Sequence, residues 1–257
     1  LSLAKALSDS LSQKHLIFAF SDNIQNIFTV NGWSSSLWDE RKEDEKSVND
    51  FLGINEANLG VNKVNYFISR QVTQKVIIDN NGNVSSELSI SYKNASTSWP
   101  GGDYKNYLRV ILPKDTAISE ISLQDIPQVL VDAITDFQIY EAKDFKPPIG
   151  LEIEKTSEEN KTIYGFIIKV PVGEVVKVKV KYNLAKKAPL NLNSFSYNLR
   201  LFKQPGIDSF PYSFSLTYPD TFNIINTSEN IIKNGNEVSY SEKIIEDKDL
   251  NINFARK

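Results

Sequence analysis

The stretch NYFISRQVTQKVIIDNNGNVSSELSISYK, residues 65–93, decides the fold class. In its first half, apolar residues recur on one face, and polar residues stand between most of them. The sequence DNNGN then supplies a turn, because asparagine and glycine tolerate the positive φ of tight hairpins. Alternation resumes from Val84 to Tyr92. The pattern therefore predicts two antiparallel strands joined in a hairpin, each with one buried face.

Similar alternating runs continue to the end of the chain. Strands spaced this closely, with turn residues between them, are typical of antiparallel sandwiches. Residues 122–137 fit either a short helix or a connecting loop. The predicted strands lie at 107–112, 162–170, 174–184, 195–203, 212–218 and 250–255.

An internal repeat organises these strands. Residues 107–122 align with 212–228 as strand, proline, Asp-Thr, strand, and two further matches flank this one in the same order. The flanking matches pair 75–82 with 199–206 and 163–182 with 237–254. Three matches in one order predict two copies of a module. We expect a mainly β fold with two tandem immunoglobulin-like antiparallel β-sandwiches, at 63–186 and 187–257.

The first 62 residues have a different pattern. Apolar residues of 1–14 recur at helical spacing, HLIFAF at 15–20 is typical of a short buried strand, and Asp22 can cap a second helix. A helix–strand–helix unit cannot bury both faces of its strand alone. We expect 1–62 to be the C-terminal tail of a larger α/β domain, with the mixed-charge segment 39–50 as a solvated loop.

The composition argues against several kinds of chemistry. With 29 basic and 32 acidic residues, the chain has no broad cationic surface for nucleic acid. It contains no cysteine and a single histidine, His15, which argues against thiolate and multi-histidine metal sites. We expect no metal and no cofactor. No apolar run approaches the roughly 20 residues that span a bilayer. The absence of methionine indicates an excised fragment.

The segment WPGGDYKNYLRVILPKD, residues 99–115, begins like a phosphate-binding loop. Its spacing differs from that of such loops, and a predicted strand follows where a helix is needed. We interpret the glycines as a turn with Trp99 and Tyr107 buried around it. The alternative is a carbohydrate platform, in which aromatic rings stack on sugars while Asp103 and Lys105 bind hydroxyls.

A second candidate site is the polar segment 55–70, where the α/β tail meets the first sandwich. Its side-chain amides could satisfy the backbone of an irregular crossing. The alternative is a contact with an anion or sugar phosphate, because pockets favour domain interfaces.

Four stretches resemble a known family: KHLIFAFSDNIQNIFTVNGW (14–33), NEANLGVNKVNYFISR (55–70), WPGGDYKNYLRVILPK (99–114) and FKQPG (202–206). They look like the C-terminal part of a bacterial envelope family known as domain of unknown function four thousand and twelve. The resemblance implies an exported surface protein with a transmembrane anchor near its N-terminus, outside the present sequence. It brings no established activity and no catalytic residue.

We therefore expect a membrane-tethered, extracellular bacterial cell-surface protein, of which this chain is a non-catalytic structural or interaction module. Its expected partner is a cell-wall or surface glycan, or another surface protein, and not nucleic acid. The alternative is an envelope protein that binds glycans or processes sugar phosphates at the α/β-to-sandwich junction. The candidate ligand or interface residues are Asn58, Asn62, Lys63, Arg70, Trp99, Asp103, Tyr104, Lys105 and Arg109.

Overall fold

The computed structural model describes residues 2–18, 23–31, 33, 37, 44–141, 144–228 and 230–257. The helices of this described part are α1 (Ser2–Ser12), α2 (Asn23–Val30) and α3 (Phe137–Tyr140), with a 3₁₀ turn at Val64–Phe67. Its strands are β1 (Ser47–Asn58), β2 (Ile68–Ile78), β3 (Val84–Asn94), β4 (Tyr104–Pro113), β5 (Ala117–Leu123), β6 (Ile126–Pro127), β7 (Leu130–Asp132), β8 (Leu151–Glu158), β9 (Lys161–Val170), β10 (Val175–Asn183), β11 (Ser194–Phe202), β12 (Phe210–Thr217), β13 (Phe222–Thr227), β14 (Ile232–Asn234), β15 (Glu237–Ile244) and β16 (Lys248–Arg256).

The described strands form two eight-stranded sheets. Sheet A has the order β13-β16-β11-β1-β4-β9-β8-β7, and sheet B the order β14-β15-β12-β2-β3-β10-β5-β6. Their facing sides share one apolar core, which includes Leu88 and Val180 from the first half and Leu199 and Phe214 from the second. The predicted mainly β class is confirmed.

The hairpin predicted at 65–93 is present as β2 and β3, which pair from Ile68↔Asn94 to Ile78↔Val84. Val72, Val76 and the inward residues of β3 are buried, as the alternation predicts. Gly82 occupies the turn with φ +77, a conformation that glycine adopts without a steric penalty.

The repeat is visible in the strand pairings. β9 pairs with β4 and β8 as β15 pairs with β12 and β14, and β10 pairs with β3 and β5 as β16 pairs with β11 and β13. Each strand of the first copy lies in the opposite sheet from its counterpart, so the second copy is rotated relative to the first. By these pairings β11 corresponds to β3, and not to β2 as the match of 75–82 with 199–206 predicts, so β1 and β2 have no counterpart in the second copy.

The two copies are joined by two parallel strand pairs, β1–β11 and β2–β12. We call these two pairs the seam. Because of the seam, both sheets run without a break through both copies. The expectation of antiparallel pairing throughout is therefore wrong at the seam, and the sheets are mixed.

A buried polar network lies between the sheets at the seam. The Tyr197 hydroxyl donates to the Asp50 carboxylate, and the Tyr212 hydroxyl donates to Gln74 Oε1 at 2.6 Å. Gln74 Nε2 donates to the Tyr182 hydroxyl at 3.0 Å. The side chains come from strands of both sheets and both copies, so they fix how the seam strands face one another.

The N-terminal segment differs from its prediction. The helices α1 and α2 are confirmed, but His15–Phe18 forms no strand and its apolar side chains are about half exposed. Phe18 contacts Phe28 of α2 edge to face, with ring centroids 5.3 Å apart, so this short run packs locally on a helix. Residues 19 and 20 of HLIFAF, and Asp22, lie outside the described residues.

The interpretation of 39–50 as a solvated loop is wrong for its last four residues. β1 begins at Ser47, and Val48 and Asp50 are fully buried. β1 is a central strand of sheet A, so residues 47–58 of the segment assigned to an α/β tail belong to the sandwich. Among the described residues, no helix has the length and apolarity to cross a membrane.

Candidate functional site

A polar cleft of about 650 Å³ opens where four segments meet. The end of β1 and the start of β2 form one side, the 3₁₀ turn Val64–Phe67 forms the rim, and the loop between β11 and β12 forms the other side. We call this the seam cleft, because β1–β11 and β2–β12 border it. Its volume lies within the range usual for ligand sites.

An ion pair forms the floor of the seam cleft. Arg70 Nη1 lies 2.9 Å from Glu56 Oε2, and the Glu56 side chain is only 2% exposed. The Tyr104 hydroxyl donates to the same oxygen at 3.4 Å. Burial raises the pKa of the Glu56 carboxyl, and the positive charge of Arg70 opposes that rise. The pair supplies both a charged donor and a charged acceptor.

The second oxygen of this carboxylate is enclosed. Glu56 Oε1 is buried and lies beside the Tyr92 hydroxyl, which is itself fully buried. The Tyr92 hydroxyl lowers the pKa of Glu56, although the two groups do not complete a hydrogen bond of normal geometry. Buried polar groups are nearly always hydrogen-bonded, so we take Tyr92 as the donor that serves this oxygen.

Gln204 holds the opposite wall in place. Its Oε1 accepts from the Glu56 backbone N–H at 2.9 Å, and its Nε2 donates to the Glu56 carbonyl at 3.0 Å. These two hydrogen bonds tie the loop between β11 and β12, in the second copy, to β1. The FKQPG motif thus contributes to the cleft through Gln204, Pro205 and Gly206.

Asparagines shape the loop at the rim. Asn58 Nδ2 donates to the Asn62 carbonyl at 2.9 Å, and Asn58 Oδ1 accepts from the Gly60 N–H at 2.9 Å. Asn62 Nδ2 donates to the Asp103 carbonyl at 3.1 Å. These side-chain amides satisfy the backbone of an irregular crossing, as the sequence predicted. Lys63 is exposed beside them, and its backbone N–H donates to the Pro100 carbonyl.

The Trp-Pro-Gly-Gly segment is a turn held by polar contacts. Gly102 N–H donates to Ser96 Oγ at 3.2 Å, and Asn94 Nδ2 donates to the Gly102 carbonyl at 2.9 Å. A Cβ on Gly101 would collide with Ser96, so the turn packs too tightly to admit a ring. The expected burial of Trp99 is therefore wrong: its side chain is 81% exposed.

The remaining candidates lie apart from the cleft floor. Asp103 pairs with Lys169 at 2.7 Å and borders a shallow depression with exposed Lys105. The hydrogen bond from Lys169 lowers the pKa of Asp103. Arg109 faces the other side of sheet A, where its Nη2 donates to Asn55 Oδ1 at 2.6 Å. Tyr107, on that same side, is half-buried rather than buried, and its hydroxyl donates to Glu154.

The structure thus brings only four of the candidates to the seam cleft: Asn58, Asn62, Arg70 and Tyr104. Sequence reasoning missed Glu56 and Gln204. Glu56 stands inside the polar segment 55–70 and Gln204 inside FKQPG, so the sequence points to both stretches but not to these two residues.

Neither a family model nor a curated protein matches this chain. Among solved structures, it is similar to a protein of Legionella pneumophila assigned to nutrient binding, with a TM-score of 0.46 and 8% identity over 80% of this chain and 72% of the other. It is also similar to the M1 zinc metallopeptidase of Deinococcus radiodurans, with a TM-score of 0.32 and 8% identity over 73% of this chain and 42% of the peptidase. Both TM-scores are below 0.5, a level at which neither likeness defines the fold or function of this chain.

The described lining of the seam cleft is polar, and its charges are balanced. Its described lining residues include two acids, Glu56 and Asp208, and two bases, Arg70 and Lys243. The rest of the polar lining consists of amides and hydroxyls. Within the described part of the chain, no three His, Cys, Asp or Glu side chains are grouped so that they could hold a metal ion.

Proposed function

We propose that this chain is a non-catalytic structural and interaction module of an exported, membrane-tethered bacterial surface protein. In this proposal its two copies are immunoglobulin-like sandwich modules fused side by side, and the seam cleft is the interaction site. The observation that carries the proposal is the seam. Two continuous sheets over one close-packed core resist bending between the copies, which suits a rigid surface element.

The extracellular location is supported by the sequence alone. The resemblance of residues 14–33, 55–70, 99–114 and 202–206 to a bacterial envelope family carries it. The proposed partner is a surface glycan or another surface protein, which would bind at the cleft formed by 55–70 and 202–206.

An envelope enzyme that processes sugar phosphates is the less favoured function. Such a site needs several cations grouped around the phosphate. In the described lining of the cleft, Arg70 is neutralised by Glu56 and leaves Lys243 as the other base, while Lys63 is exposed beside the rim and Arg109 lies on the other side of sheet A. A binding function needs only the cleft and its hydrogen-bonding groups.

Protease accessibility in intact cells tests the proposed location. The full-length gene, with an epitope tag after Lys257, is expressed in a Gram-positive host, and cells are treated with protease before and after lysis. We expect the tag to be removed from intact cells while a cytoplasmic control protein survives. A tag that is removed only after lysis would refute the surface location.

A further inference from the structure

The ion pair constrains what the seam cleft can bind. The Glu56 carboxylate accepts hydrogen bonds, whereas the Arg70 guanidinium beside it donates them, and both residues line the cleft. A hydroxyl group donates and accepts at once, so a pair of neighbouring hydroxyls satisfies both side chains. A fully ionised phosphate offers hydrogen-bond acceptors and no donors, and its negative charge would repel the Glu56 carboxylate.

The balance of charge favours a neutral ligand. The two acids and two bases in the described lining leave no net charge to attract an anion or a cation. The amide of Asn65 and the hydroxyl of Ser69 add further donors and acceptors around the same space. A wholly apolar ligand would leave these groups without partners, at a cost in free energy for each.

An exposed aromatic ring stands at the rim. Tyr66 lines the cleft from the 3₁₀ turn, and its side chain is 82% exposed. A large exposed ring beside a polar cleft offers a flat apolar surface, which suits the C–H face of a sugar ring. Sugars combine such a face with a perimeter of hydroxyls, which matches the ring and the polar floor together.

We propose that the seam cleft binds a neutral carbohydrate, with its hydroxyls on Glu56 and Arg70 and one sugar ring stacked on Tyr66. This inference rests on the proposed function in one respect, that the cleft is the interaction site. It is independent of where in the cell the protein resides.

Calorimetric titration of the purified chain tests the proposal. The probes are maltotetraose, cellotetraose and tetra-N-acetylchitotetraose, with glucose 6-phosphate and a neutral tetrapeptide as comparators. We expect at least one saccharide to bind with a Kd of about 1 mM or tighter. The proposal is wrong if none binds at about 10 mM, or if the sugar phosphate or the peptide binds more tightly than every saccharide.

Two matched variants locate the binding. Tyr66→Ala removes the exposed ring without disturbing the core, and we expect it to weaken saccharide binding by about tenfold or more. Trp99→Ala removes a ring that is equally exposed but lies outside the cleft, and we expect no change. Equal losses in both variants, or no loss in Tyr66→Ala, would overturn the assignment.

Glu56→Gln tests the floor of the seam cleft. The unfolding midpoint of this variant is also measured, to verify that it is folded. The amide keeps the size of the side chain but removes the charged acceptor, so we expect binding to weaken by about tenfold. Binding at the wild-type level in the folded variant would contradict the role of Glu56. These titrations test only the ligand of the cleft. The surface location and the fused seam are tested by separate experiments, protease accessibility and disulfide formation. A failure of the carbohydrate proposal can therefore be distinguished from a failure of the proposed function.

Discussion

Arg70 and Glu56 form an ion pair 2.9 Å long whose side chains are 11% and 2% exposed. The pair joins β2 of sheet B to β1 of sheet A at the floor of the seam cleft. Removing one partner of a buried pair leaves the other charge without compensation, which is far more costly than removing an exposed pair.

We therefore expect Arg70→Ala to lower the free energy of unfolding by about 3 kcal/mol. The matched control is Arg200→Ala, which removes the bond to Asp249 at 2.8 Å in a pair whose side chains are 29% and 45% exposed. This control should cost below about 1 kcal/mol. Urea denaturation measures both, and equal effects would show that the Glu56 pair is not buried in solution.

The raised pKa of Glu56 makes stability depend on pH. Burial is the main cause of the rise, and Arg70 opposes it, with Tyr92 and Tyr104 also facing the carboxylate. A carboxyl whose pKa is higher in the folded state binds its proton more tightly there, so its contribution to stability is lost as pH rises through that pKa.

Glu56→Gln removes this titration. We expect the free energy of unfolding of the variant, relative to wild type, to increase as the pH rises from about 4 to about 8. Denaturation curves at several pH values measure the difference. A difference that is constant or falls with pH would contradict the raised pKa.

The buried polar network at the seam predicts that loss of one hydroxyl lowers the free energy of unfolding. Tyr197 and Asp50 are both fully buried, and the Tyr197 hydroxyl donates to that carboxylate. Tyr197→Phe removes a hydrogen bond to a buried carboxyl group, so we expect a loss of about 2 kcal/mol. Tyr240→Phe is the control, because its acceptor Glu242 is 34% exposed and can bind water instead. Equal losses in the two variants would contradict a buried network.

Gly165 makes room for the ring of Tyr107 across β4 and β9. A Cβ at position 165 would collide with the Tyr107 ring and hydroxyl, which supply its three nearest atoms. We expect Gly165→Ala to destabilise the protein by about 1–3 kcal/mol. In a Tyr107→Leu background the same change should cost less. A cost that is unchanged by Tyr107→Leu would rule out this steric explanation.

The hairpin could be predicted because its signal is local, and the repeat because similar segments recur in one order. The alternation in 65–93 and the turn at Gly82 lie within one short stretch, and the repeat shows in the order of similar segments. β1 was missed because Asp50 and Glu56 occupy inward positions of the strand, where apolar residues are expected. Their partners, such as Tyr197 and Arg70, are supplied by other strands, so no local pattern marks them as buried.

The candidate site was predicted only in part for a related reason. Asn58 and Asn62 act on nearby backbone, and such local contacts can be inferred from an amide-rich segment. Glu56 and Gln204 are 148 positions apart in sequence, and they meet only because the seam places β11 beside β1. Parallel pairing between distant strands leaves no signature in either strand, so the cleft itself could not be predicted.

The fused seam is the central claim, and a disulfide across it is the most direct test. The chain contains no cysteine, and Lys75 of β2 lies opposite Ser215 of β12 on the outward side of the parallel pair. Neighbouring strands lie about 4.8 Å apart, which is within the Cα separation of about 4.4–6.8 Å that a disulfide accepts. We expect Lys75→Cys with Ser215→Cys to form an intramolecular disulfide on mild oxidation.

The control pairs Lys75→Cys with Ser239→Cys, because Ser239 lies one strand farther away, beside Ser215. At about 10 Å it is beyond the reach of a disulfide. Thiol titration and peptide mass mapping measure the product. The fused seam predicts a disulfide in the first variant and none in the second. Free thiols in both, as two separate tandem sandwiches would give, would contradict it.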